Sequence, residues 1–204
     1  MKITTSPTDT EEKIKQAAHK LFQQKGFAAT KTRDIAEEAG INVALLNYYF
    51  RSKQRLFELV MLKTINDFFS GLDTLLNTTE TSLEEKLQLF VDHYIDFLLD
   101  NPDVPTFIIM ELRAHPEKYA KQLGIAHRIR HSVFIKQFQE AFAEQRTDLN
   151  PVHILMNLSA LVAFPFVSAP LLKTAMPMDD TQFRQYMQER KKLIPNWILN
   201  MLQS

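Results

Sequence analysis

Residues 32–50, TRDIAEEAGINVALLNYYF, admit few folds. Thr32 can cap a short helix in which Ile35, Ala36 and Ala39 share one side. Gly40 stops that helix, and Asn42 is a good N-cap for another carrying Leu46 and Phe50 four residues apart. A helix, a tight glycine-containing turn and a helix make the helix-turn-helix arrangement.

The flanking sequence is helical too. Thr8 and Glu11 have the spacing of a capping box, and Ile14, Ala17, Ala18, Leu21 and Phe22 form an amphipathic stripe that Gly26 should end. From Leu56 to Leu72 apolar residues keep helical spacing without a break, which predicts a long helix linking the N-terminal unit to the rest. NTTETS at 77–82 reads as a loop, and Ser82 with Glu85 opens a further helix. DNPDVP at 100–105 breaks that one, and helical pieces are expected over about 104–114 and 117–145. Asn150 before Pro151 starts an apolar helix reaching about 174, kinked at Pro165 and Pro170. A last helix is expected over about 180–203, with a bend at Pro195. Strand-like runs are scarce, so the fold class is all-α: three N-terminal helices with a helix-turn-helix, then a helical C-terminal domain.

The second short helix has an unusual outer face. With Leu46 and Phe50 inward, Ala44 and Tyr48 lie opposite, flanked by Leu45 and Asn47. A solvated helix would carry Lys and Glu there. Against a DNA groove the set makes sense: Ala44 and Leu45 suit thymine methyls, and the Asn47 amide suits adenine. Tyrosine hydroxyls can donate to phosphate, and Lys53 adds a charge. The helix that starts at Thr32 would cross the backbone with its N-terminal amides near a phosphate, while Arg33 reaches a base edge or a phosphate. Against this stands the plainer reading that all these residues belong to a small core. It fits Ile35, Ala39, Leu46 and Phe50, and it fits Tyr49 as well as a contact role does.

Charge agrees with the DNA reading only when it is divided. The whole chain has no net charge. Residues 1–57 hold ten Lys/Arg against six Asp/Glu, and the remainder holds fourteen against eighteen. That asymmetry favours an N-terminal module for a polyanion. There are no cysteines, which excludes disulfides, thiolate nucleophiles and Cys-based metal sites and fits a reducing compartment, the cytoplasm being expected. MKITTSPTDTEEK at the N-terminus has no apolar core and is not expected to be a signal peptide. LSALVAFPFVSAPLL at 158–172 is shorter than the ~20 residues of a membrane span and contains two prolines, so a buried helix is expected. His127 and His131 stand i, i+4, but the arginines of HRIRHS oppose a cation, and no metal or other cofactor is expected.

Residues 30–60, TKTRDIAEEAGINVALLNYYFRSKQRLFELV, resemble the DNA-binding domain of TetR-family transcriptional regulators. The resemblance rests on QQKGFAATKTRDIA, then DIAEEAG, YYF, RSK and RLF in register, and covers about residues 8–60. It implies phosphate contacts from Thr32, Tyr48, Tyr49 and Lys53, and base contacts from Arg33, Val43, Ala44, Leu45 and Asn47. Lys31 and Asn42 complete the candidate DNA-binding set. The chain departs from the family pattern at Asn42, often Ser or Thr, at Ala44, often Gly, and at Asn47, often Tyr. The last departure replaces a tyrosine contact with an amide.

The resemblance further implies a DNA-binding domain at 8–55 with its helix-turn-helix at about 32–50, and a ligand-binding and dimerisation domain at 56–204. It implies a homodimer, formed by the last two long helices, that binds a palindromic double-stranded operator and is released by a small, largely apolar effector. Phe107, Met110, Phe134, Phe138, Met156 and Phe166 are the candidate pocket residues, with His93, His127 and Arg128 as polar partners. No nucleophile–base pair, phosphate-cradling glycine loop or paired carboxylates beside a histidine supports an enzyme. A purely structural or partner-binding role leaves the first sixty residues unexplained.

Overall fold

The computed structural model describes residues 7–124, 128, 131–145 and 151–202. Among these the regular elements are helices alone: α1 (Pro7–Ala29), α2 (Thr32–Glu38), α3 (Val43–Phe50), α4 (Lys53–Asn77), α5 (Leu83–Asp100), α6 (Val104–Ala114), α7 (Pro116–Leu123), α8 (Val133–Gln145), α9 (Pro151–Val167), α10 (Ala169–Ala175) and α11 (Asp180–Leu202). The all-α expectation holds. No single helix among the described residues is long and apolar enough to cross a membrane.

Two compact units are present, one of Met1–Asp67 with Asn101–Val104, the other of Phe68–Asp100 with Pro105–Ser204. In the first, α1 begins at Pro7, two residues earlier than a Thr8 cap would place it, because proline suits the first helical position. Ile14, Ala17, Ala18, Leu21 and Phe22 are buried with Ile35, Ala36, Leu46, Phe50, Leu56, Phe57 and Val60. The Phe22 and Phe57 rings meet edge to face at 5.0 Å, and Phe27 lies 4.5 Å from Phe57.

The C-terminal corner of α1 is heavily tied. Gly26 takes φ 73, ψ 166, a left-handed φ that glycine alone reaches without strain, and kinks the helix there. Thr30, fully buried, donates through Oγ1 to the carbonyls of Leu21 and Gly26. The Phe27 N–H donates to Asp103 Oδ2 at 2.9 Å, and Gln23 Nε2 donates to Asn101 Oδ1 at 3.1 Å.

In the second unit α5 is central: Leu87, Val91, Ile95 and Leu98 are fully buried, and α5 packs against α11, α9 and α8. Its start is the capping box the sequence announces, with Ser82 N–H donating to Glu85 Oε2 at 2.8 Å and Glu85 N–H donating to Ser82 Oγ at 3.2 Å. Lys86 is fully buried, and its Nζ donates to the carbonyl and the hydroxyl of Thr81, 2.7 Å each, while Gln137 Nε2 from α8 donates to the same carbonyl. The helix expected over 117–145 is not continuous. α7 ends at Gly124, left-handed at φ 61, and Ser132 caps α8 through its Oγ.

The prolines divide. The kink expected at Pro170 is present: α9 and α10 meet at 64° at Ser168, and Pro170 lies in the first turn of α10. Pro165 and Pro195, in contrast, lie inside α9 and α11 without ending them. A helical proline cannot donate to the carbonyl four residues earlier, which strands that acceptor. Both stranded carbonyls have replacements: Arg190 Nη2 donates to Leu161 O at 2.7 Å, and Gln88 Nε2 donates to Lys191 O at 3.1 Å. With the acceptors satisfied, the helices continue. Asn150 and His127 lie outside the described residues.

Candidate nucleic-acid interface

α2 begins at Thr32, and the Asp34 carboxylate accepts from the Lys31 N–H at 3.4 Å. Ile35 and Ala36 bury against α1, which turns Lys31 and Arg33 outward. Gly40 makes the turn at φ 67, and the Ile41 N–H donates to Ala36 O at 2.9 Å. Asn42 then caps α3, its Oδ1 accepting from the Leu45 N–H at 2.8 Å.

α3 is anchored by Leu46 and Phe50, both buried. Val43, Ala44, Asn47 and Tyr48 are exposed, Tyr48 to 79%, while Leu45 and Tyr49 are half-buried. The Tyr48 and Tyr49 rings meet edge to face at 5.5 Å. The exposed face of α3 carries no acidic side chain. An eight-residue helix held at two points, presenting small, amide and phenol groups, can enter a major groove without repelling phosphates.

The cations of this unit sort into two groups. Lys13, Lys15, Lys20, Lys25, Arg55 and Lys63 are each ion-paired with a carboxylate. Among the described residues of this unit the cations with neither an ion pair nor a side-chain hydrogen bond are Lys31, Arg33 and Arg51, all at α2 or at the end of α3. Unneutralised cations beside an acid-free helix face are the local electrostatics that phosphate binding requires.

Lys53 has a different setting from the free cation its position suggests. Its Nζ donates to Phe27 O and Thr30 O, both at 2.9 Å, and sits 4.2 Å from the centre of the Phe27 ring. It therefore caps α1 and holds α4 on it. That role had no sequence signal, because Phe27 and Thr30 lie more than twenty residues away. Arg51 carries no sequence signal either: nothing in RSK announces that it stands exposed, with no ion-pair partner among the described residues, and at φ 61.

The C-terminal candidates divide. Phe107, Phe134, Phe138 and Phe166 are buried in the second unit. Met110 and Met156 are 67% and 62% exposed, which puts them on the surface instead of in the interior. His93 is exposed and stacks on Phe68 at 5.2 Å, and Arg128 is ion-paired with Asp73.

The family model for bacterial regulatory proteins of the tetR family matches residues 14–60. A probable HTH-type transcriptional regulator of Bacillus subtilis (strain 168), YttP, is 25% identical over 193 residues, which span 89% of this chain and 90% of that protein. The HTH-type transcriptional repressor KstR2 of Mycolicibacterium smegmatis is 29% identical over 122 residues, or 53% of this chain and 60% of the repressor. Among solved structures, the transcriptional regulator FadR from Bacillus subtilis in complex with stearoyl-CoA superposes with a TM-score of 0.58 at 13% identity, covering 90% of this chain and 96% of that one.

Proposed function

From its membership of the TetR family of DNA-binding transcriptional regulators, we propose that this chain is a dimeric repressor of a palindromic operator, released by a small, largely apolar ligand. The observation that carries the reading is the acid-free outer face of α3 beside unpaired Lys31 and Arg33. α3 enters the major groove, and Arg33, Val43, Ala44, Leu45 and Asn47 meet base edges. Lys31, Thr32, Tyr48 and Tyr49 meet the phosphate backbone. Asn42 and Lys53 act chiefly by holding α3 and α4 in place, the remaining N–H of Lys53 being free to reach a phosphate. Residues 8–55 form the DNA-binding domain, and 56–204 the ligand and dimerisation domain.

Dimerisation is supported by the outer surfaces of α9 and α11. Val152, Met156 and Phe164 on the first and Tyr186, Leu193 and Trp197 on the second are exposed in the isolated protomer. A second copy covers them. The ligand binds among the buried aromatic residues Phe107, Phe134, Phe138 and Phe166 and, by differential affinity for one arrangement of the dimer, changes the spacing of the two recognition helices. An acyl chain is the ligand class favoured, since the structurally similar FadR holds stearoyl-CoA, and repression is favoured by the likeness to KstR2. The protein acts in the cytoplasm, where the operator is.

Selection of bound fragments from random duplex DNA tests the proposal. The expected product is a twofold-symmetric site whose affinity falls steeply with salt. Recovery of no enriched sequence, with affinity equal to that for a polyanion control, overturns it.

A further inference from the structure

α3 and α4 are joined by two residues, Arg51 and Ser52. The Arg51 N–H donates to Asn47 O at 2.9 Å, the Ser52 N–H donates to Phe50 O at 2.7 Å, and Ser52 Oγ accepts from the Arg55 N–H at 3.1 Å. Arg51 alone makes the reversal, at φ 61, ψ −36. It is the one non-glycine residue with a positive φ among the described residues. Glycine would make this turn without strain. Instead the chain carries its bulkiest cation there. The side chain is exposed and has no ion-pair partner among the described residues, although six other cations of the unit are paired. Strained positions of this kind persist where the side chain has a task.

We propose that Arg51 is a phosphate clamp of the DNA complex, an additional positioning contact at the C-terminal end of the recognition helix. The inference rests on the DNA-binding reading above. Arg51 stands at the C-terminal end of α3, three residues after the exposed Tyr48, and is itself exposed. In a helix-turn-helix the N-terminal residues of the recognition helix meet base edges, and its other end lies at the groove wall, where phosphates are. The short, doubly hydrogen-bonded turn fixes the Cα from which the guanidinium starts. A planar fork from a fixed origin suits bidentate binding of a phosphate.

The test uses the full-length protein with the selected operator duplex and a scrambled duplex of equal length, titrated between 50 and 200 mM salt. Arg51→Gly and Arg51→Ala each remove two cations per dimer, so the slope of log affinity against log salt should flatten by about 1.8. The ratio of wild-type to variant affinity should then shrink about tenfold across that salt range, on both duplexes alike. Arg51→Lys should keep most of the slope. Arg51→Gly should melt no lower than wild type, since it relieves the positive φ, which separates lost contact from lost fold. Arg55→Ala, which removes a cation already paired with Glu58, should leave the slope unchanged. An unchanged slope in both Arg51→Gly and Arg51→Ala overturns the clamp, as does equal flattening in Arg51→Lys or a loss confined to the operator. Failure of the wild-type protein to bind either duplex is a different result, and it defeats the DNA-binding reading together with the clamp.

Discussion

Single residues of the N-terminal unit divide into those that hold the recognition helix and those that it presents. Lys53 belongs to the first kind. It supplies donors to two carbonyls at the end of α1 and lies over Phe27. Lys53→Ala should therefore cost about 1–3 kcal/mol of stability, since it leaves acceptors unmade in a half-buried corner. Denaturant unfolding measures this, and a loss within 0.3 kcal/mol of zero would show the contacts to be idle. Tyr48, at 79% exposure, belongs to the second kind. Tyr48→Ala should leave the melting temperature unchanged and weaken operator binding roughly tenfold, about the worth of one or two lost contacts. Full affinity in that variant would remove Tyr48 from the interface. The pair shows why loss of binding in a Lys53 variant alone would be ambiguous, whereas the same loss in a Tyr48 variant is not.

At the scale of helices, local sequence was a good guide to several helix ends, but not to the start of α2, where Thr32 is the first helical residue and Lys31 stands at the cap. The Asn42 cap, the Ser82–Glu85 box and the Gly40 turn all occur as their residue types require, because each is made within three or four residues. Pro170 marks a kink as its type requires, but Pro165 and Pro195 do not break their helices, because their tolerance is not local. Pro165 is accommodated by Arg190 from α11, and Pro195 by Gln88 from α5. Arg190→Ala should thus cost about 1–3 kcal/mol, the penalty for an orphaned acceptor together with lost packing on Trp197. In a Pro165→Ala background the alanine N–H can again reach Leu161 O, and the cost of Arg190→Ala should fall by at least about 0.5 kcal/mol. A double-mutant cycle with strictly additive effects would refute the replacement of one donor by the other.

For the whole molecule the decisive question is what covers α9 and α11. Phe164 is 64% exposed in the protomer, and Val152, Met156, Tyr186, Leu193 and Trp197 are exposed with it. Sedimentation should find a dimer at micromolar concentration, and Phe164→Glu should shift it to monomer. Without two linked recognition helices, operator affinity should fall roughly 100-fold or more. A monomeric wild-type protein would end the dimer proposal. The sequence alone determined the all-α class, the helix-turn-helix, its Asn42 cap and the composition of the α3 face, because helical periodicity, glycine turns and capping pairs act over a few residues. Tertiary structure decided which cations stay unpaired, why Lys53 is committed to α1, how two helices pass through proline, and that Met110 and Met156 face outward while four phenylalanines are buried. Those outcomes depend on partners tens of residues away, and a stripe of apolar residues reads the same whether its helix is covered by its own chain or by a second copy.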